Sequence, residues 1–167
     1  MLIVATIVLA SLASSDAVFS DAQRFGHVVS SDALVRTSST SPWDEPERHL
    51  SLVGDGHAPF AFHTAEEDAP WAWIDLGESR QVTGVAIDNR SDGNGVRTRE
   101  LAIAISNDGK AWTDVTTLVG PKPQWTASLL DGDAPRSARY LRITLASKGF
   151  LHLSRVRVWG DPARARD

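Results

Sequence analysis

Leu101-Ala102-Ile103-Ala104-Ile105, followed at once by Asn107-Asp108-Gly109-Lys110, is the stretch that decides the fold. Leu101, Ile103 and Ile105 alternate with small residues, so a strand places all three on one face. The Asn-Asp-Gly run behind them is turn chemistry, since Asn, Asp and Gly accept left-handed backbone and close on their own amides. The same pattern recurs on both sides. Val82 to Asn89 turns Val85 and Ile87 inward, and Tyr140 to Leu145 sets Leu141, Ile143 and Leu145 against Arg142 and Thr144. Val156-Arg157-Val158-Trp159 repeats it near the end, and further turn signals lie at Ser91-Asp92-Gly93-Asn94-Gly95 and Leu130-Asp131-Gly132-Asp133. No apolar stripe of helical period persists. Short strands with one apolar face and polar turns predict an all-β chain, an antiparallel β-sandwich of two facing sheets. Residues 20–62, rich in Ser, Asp and Pro, are expected to form loops around one or two strands.

The chain has 167 residues, enough for one domain with a real core. A formal charge of −4, with the charges interspersed, offers no footprint for nucleic acid and no polybasic block for anionic lipid. The absence of cysteine excludes disulfides, thiol nucleophiles and Cys-based metal sites. Met1 to Leu12 are nearly all apolar, too short a run to span a bilayer but suited to the core of a signal peptide. Residues 1–17 are therefore expected to be a cleaved leader, residues 18–160 the domain and residues 161–167 a charged tail. Cleavage removes only Asp16, so the charge becomes 17 − 20 = −3. The expected location is secreted, cell-surface or periplasmic.

Enzyme signatures are missing: there is no His-Glu-x-x-His, no Gly-x-Ser-x-Gly and no Gly-rich phosphate loop. Nothing in the sequence sets two carboxylates across a cleft as glycoside hydrolysis needs. A non-catalytic role is expected.

Five collinear motifs carry a family likeness. They are Val53-Gly54-Asp55-Gly56, Pro70-Trp71 through Asp75-Leu76-Gly77, and Ser106-Asn107-Asp108-Gly109-Lys110-Ala111-Trp112, then Ala138-Arg139-Tyr140-Leu141-Arg142 and Val156-Arg157-Val158-Trp159-Gly160. Together they resemble the discoidin family of coagulation-factor type C domains, which implies a galactose-binding-like jelly roll. Within it, 26 residues separate His63 from Arg90, one residue separates Arg90 from Asp92, and four separate Asp92 from Arg97. This spacing is similar to the sugar motif of the F-type, fucose-binding lectins. The resemblance implies that His63, Arg90 and Arg97 hydrogen-bond sugar hydroxyls, and that Asp92 holds the loop and orients a basic partner, Arg97. Gly93 and Asn94 stand where those lectins carry adjacent cysteines, and the loop from Asp55 to His63 is short. Phe60 or Phe62 is expected to take over aromatic contact with the sugar, and Trp43 and Trp125, beside prolines, are further candidates. Trp71, Trp73, Trp112 and Trp159 read as core.

The F-type lectins also hold a structural calcium. Asp55 matches one ligand position, but Arg155 stands where a second acid belongs, so an Arg155–Asp55 pair is expected in place of the ion, with no cofactor. The implied partners are fucose- or galactose-type glycans, with homo-oligomers supplying avidity and membrane binding not expected. The alternative is a structural or adhesion domain that contacts protein or a cell-surface polymer. In it, Arg90 and Arg97 would be consumed by Asp92, Glu100 or backbone carbonyls and no pocket would open beside His63.

Overall fold

One strand, β4, organises the whole molecule. The structure, a computed structural model, describes residues 23–44 and 59–161. The strands there are β1 (His27–Val28), β2 (Leu34–Thr37), β3 (Phe62–His63), β4 (Trp71–Asn89) and β5 (Glu100–Ser106), followed by β6 (Thr113–Val119), β7 (Gln124–Ser128), β8 (Arg136–Leu145) and β9 (His152–Gly160). A 3-10 turn at Asn94–Arg97 sits between β4 and β5. The expected leader, Asp55 and the tail beyond Asp161 lie outside the described residues.

β4 runs for 19 residues and carries an irregularity part-way along. Its register against β8 slips between Asp75 and Arg80, and Gly77 takes a φ of 83° there, a conformation that costs a residue with a Cβ. The first half of β4 pairs with β2 and β8, and the second half with β7 and β9. β5 and β6 continue the layer beyond β8. β1 and β3 share the other edge of β9, one at each end. All pairings are antiparallel, and the continuous ladder folds over itself into the expected sandwich.

The two layers close on a single core. Ile74, Ile103, Leu141 and Ile143 from one layer meet Val85, Ile87, Val156 and Val158 from the other, all essentially inaccessible. Burying each such side chain contributes about 1.5–3 kcal/mol. β6 and β7 are not evident from the sequence because their alternation is poor: β6 has Leu118 as its buried residue.

Several aromatic expectations are corrected. Alternation that points Ala72, Ile74 and Leu76 inward must point Trp71 and Trp73 outward, so both lie half-buried on the outer sheet face with Trp112, not in the core. Trp159 is fully buried, but in a separate cluster with Phe25 and Ala86 on the outer face of the β9 layer. Trp125, expected to be exposed, is 3% accessible, and its indole N–H donates to the Gly120 carbonyl at 3.1 Å. Phe62 is entirely inside the core. Arg155, whose expected partner Asp55 lies outside the described residues, donates its Nε to Asp88 Oδ2 at 2.5 Å.

Candidate functional site

At the rim where β3 meets β9, four segments converge on a cavity of about 380 Å³. Trp43, Phe60 and Phe150 supply aromatic walls, and His63, Arg90, Asn94 and Arg97 supply polar groups. Of the residues singled out in the sequence, His63, Arg90, Arg97, Phe60 and Trp43 come together here. Asp92 stands behind the wall, while Phe62 and Trp125 belong to the core.

His63 is held from every side. Its backbone N–H donates to Asp44 Oδ1 at 3.0 Å, and its carbonyl accepts from Ser41. The ring lies 5.3 Å from Phe60, 5.4 Å from Phe150 and 5.6 Å from Trp43 between centroids. Nδ1 lies 2.8 Å from the Thr64 carbonyl, which can only accept, so Nδ1 carries the proton. In the neutral ring Nε2 is then an acceptor. Burial lowers the His63 pKa below the ordinary imidazole value, and the charges of Arg90 and Arg97 lower it further. His63 is therefore neutral at physiological pH.

Arg90 is clamped in a defined pose. Nε donates to Asp92 Oδ1 at 2.7 Å and Nη2 to Asp92 Oδ2, while the guanidinium lies 4.9 Å over the Phe60 ring. These bonds hold the Asp92 carboxyl well below the usual carboxylate range. Asp92 thus grips Arg90, not Arg97 as expected. Arg97, on the 3-10 turn, is exposed and makes no ion pair among the described residues. Two of the five N–H groups of Arg90 are used by Asp92, which leaves three.

The loop that carries both arginines is shaped by Asn89, a residue whose role the sequence does not announce. Its side-chain amide donates to the carbonyls of Gly95 and Lys122 at 2.8 and 3.0 Å, and its Oδ1 accepts from the Arg90 backbone. Any Cβ at position 95 would stand 2.9 Å from the Arg90 carbonyl oxygen, so the close turn needs glycine.

Phe150 and His152 are likewise unmarked in the sequence, and Asn94, noted there only in place of a cysteine, lines the cavity. Phe150 and His152 reach the site only because β9 pairs with β3, with His152 opposite His63. No local pattern announces a long-range pairing of this kind. His152 is fully buried, 5.2 Å from the His63 ring, and both of its ring nitrogens lack a hydrogen-bond partner. Burial pushes its pKa down to about 4. The unfolded chain takes up that proton near pH 6.5 and the folded chain does not, so stability falls as pH drops from 6.5 toward 4. Denaturant melts at pH 7.5 and 4.5 should show a loss of about 2–3 kcal/mol that His152→Leu largely removes. An equal loss in both proteins would assign the effect to other groups.

The family model for the F5/8 type C domain matches residues 34–156. This chain belongs to the F5/8 type C family. Among solved structures, it is similar to a fucose binding module of Streptococcus pneumoniae at 21% identity and TM-score 0.65, covering 81% of this chain and 99% of that one. A second is the family 32 CBM from C. perfringens NanJ, in complex with galactose, at 21% identity and TM-score 0.63, covering 79% and 96%. A third is the f-lectin (fucolectin) from serum of the striped bass, Morone saxatilis, at 19% identity and TM-score 0.67, covering 82% of this chain and 48% of that one. No curated protein sequence matches the chain. At these identities the likeness of the F5/8 type C domain to the solved structures is one of fold.

Proposed function

We propose that this F5/8 type C domain binds carbohydrate, without catalysis, in the cavity between Trp43, His63, Arg90 and Arg97. The observation that carries the reading is the pairing of chemistries in one aromatic-walled space. An unprotonated imidazole nitrogen can accept from a sugar hydroxyl while two guanidinium groups donate to its neighbours. Each hydroxyl on a pyranose ring is both donor and acceptor, so a site offering both roles replaces its water. Trp43, 62% exposed at the mouth, offers a flat face for the C–H side of the ring. Fucose is the leading ligand and galactose-type glycans the next, supported by what the similar structures are reported to bind.

A monosaccharide of about eleven heavy atoms at roughly −0.4 kcal/mol each reaches only near-millimolar affinity. Avidity through oligomers or clustered glycans then makes the site useful, and a secreted, cell-surface or periplasmic setting supplies them. Among the described residues no helix is long and apolar enough to cross a membrane.

The adhesion-domain alternative is favoured by one observation, the engagement of Arg90 by Asp92. Against it stand the open cavity beside His63 and an Arg97 without an ion pair among the described residues. Membrane docking draws no support, because Phe60 and Phe62, the tips it would expose, are buried. A glycan array probed with multivalent, folded protein decides between these readings. Signal on fucosylated or galactosylated glycans is expected, and a blank array makes the adhesion reading the better one.

Calcium is left out of the proposal, since Arg155 places positive charge where the resemblance calls for a ligand acid. A thermal melt is expected to give the same Tm with and without chelator. A fall of several degrees would show that an ion is held.

A further inference from the structure

A second cavity, of about 410 Å³, lies across the arginine loop from the first, and Arg90 lines both. The loop is thin there. Asn94 lines the first cavity, while its chain neighbours Gly93 and Gly95 line the second. Consecutive Cα atoms stand about 3.8 Å apart, so one turn of backbone parts the two spaces. Gly93 adds no height to that wall, since it has no side chain, and a Cβ built there would meet no atom within 4 Å. A glycan can pass over it in the step of one glycosidic linkage.

The chemistry of this second space differs from that of the first. Its floor is aliphatic, built by Val96 on the 3-10 turn and by Pro121 and Pro123 between β6 and β7. Val96 is 62% exposed, and both prolines are exposed. The backbone carbonyls around the floor are already engaged. Those of Gly95 and Lys122 accept from the Asn89 side-chain amide, and that of Pro123 accepts from the Asn89 backbone N–H at 2.8 Å. The polar groups left at the rim are the Ser91 hydroxyl and the Lys122 ammonium. Neither makes a side-chain hydrogen bond or an ion pair among the described residues.

We propose that this cavity is a subsite for the second pyranose unit of the same glycan, an assignment that rests on the carbohydrate reading of the first cavity. A pyranose has an apolar C–H face and a rim of hydroxyls. The face lies on Val96, Pro121 and Pro123, where it removes exposed apolar surface from water, and the hydroxyls reach Ser91 and Lys122. An aliphatic floor by itself would suit many apolar partners. Continuity through Arg90 and over Gly93 is what selects a unit already tethered to the first sugar, and the tether spares that unit much of the entropy cost of binding. The two cavities together therefore favour an oligosaccharide end over a monosaccharide.

The test is calorimetric titration of the full chain with fucose and galactose, and with disaccharides that end in either sugar through each common linkage. At least one disaccharide is expected to bind about tenfold tighter than its terminal monosaccharide. The double variant Val96→Ser/Pro121→Ser, altered only at exposed positions, is expected to lose that gain and to bind the monosaccharide as the wild type does. Lys122→Ala, which leaves the floor untouched, is expected to lose part of the gain. No gain for any disaccharide, or a full gain in both variants, would overturn the subsite and leave the first cavity standing. Loss of monosaccharide binding in a double variant with an unchanged melt would place Val96 in the first cavity and overturn the subsite equally. A wild type that binds none of the sugars would overturn the carbohydrate reading itself, and the subsite with it.

Discussion

Arg90→Ala is expected to weaken glycan binding by about 100-fold while the domain stays folded. The three N–H groups that Asp92 leaves open are the fixed donors of the first cavity, and hydrogen bonds to a charged group contribute roughly 1.5–3 kcal/mol each. Two such bonds account for the expected loss, which puts a near-millimolar ligand beyond detection. Fold stability should change far less. The carboxylate left behind, Asp92, is 35% exposed and can turn to water, and its folded pKa returns toward normal. Array binding and a melt on the same protein check both halves. Retained binding in Arg90→Ala would reduce the Arg90–Asp92 pair to a loop brace.

Asp88→Ala is expected to cost about 3 kcal/mol, the largest stability effect of a single polar change here. Asp88 sits on the outer face of the β7–β4–β9 layer and accepts from Arg155, from Arg157 at 3.1 Å and from Gln124 at 2.5 Å. The Arg157 side chain is only 6% exposed, so removal of the carboxylate leaves a guanidinium in poor contact with water. Losing one partner of a buried pair costs more than the pair contributes, because the remaining charge keeps its desolvation penalty. For a domain of this size the melting temperature should fall by roughly 10 °C. Asp88→Asn, which keeps an acceptor, should fall between wild type and Asp88→Ala. A loss below about 1 kcal/mol would mean that water and their other contacts compensate the two arginines.

The inner face of every long strand is legible in the amino-acid order itself. Leu101, Ile103 and Ile105, or Leu141, Ile143 and Leu145, alternate with a period of two, and a half-buried strand can satisfy that pattern in only one orientation. The arginine loop is legible too, through its spacing and its resemblance to a sugar motif. The partner of each charge is not. In sequence, Asp92 is equally able to hold Arg97 or Arg90, and Arg155 matches Asp55 by resemblance although its cross-strand neighbour is Asp88. Spacing along a chain says which groups are available and not which of them face each other.

The aromatic residues show the same division. Trp43 and Trp125 both stand near proline in polar surroundings, yet one is at the mouth of the cavity and the other in the core. Phe150 and His152 carry no mark of their role until β9 is laid beside β3. Sequence alone determined that this protein is an all-β sandwich with a cationic loop, because alternation and turn chemistry act over a few residues, and its motifs carried the likeness to F5/8 type C domains. Only tertiary structure decided what surrounds His63, which carboxylate holds Arg90, and that Trp71 and Trp73 look outward beside Arg36. Those are consequences of strand register, which is set by the burial of whole faces against each other across long stretches of chain.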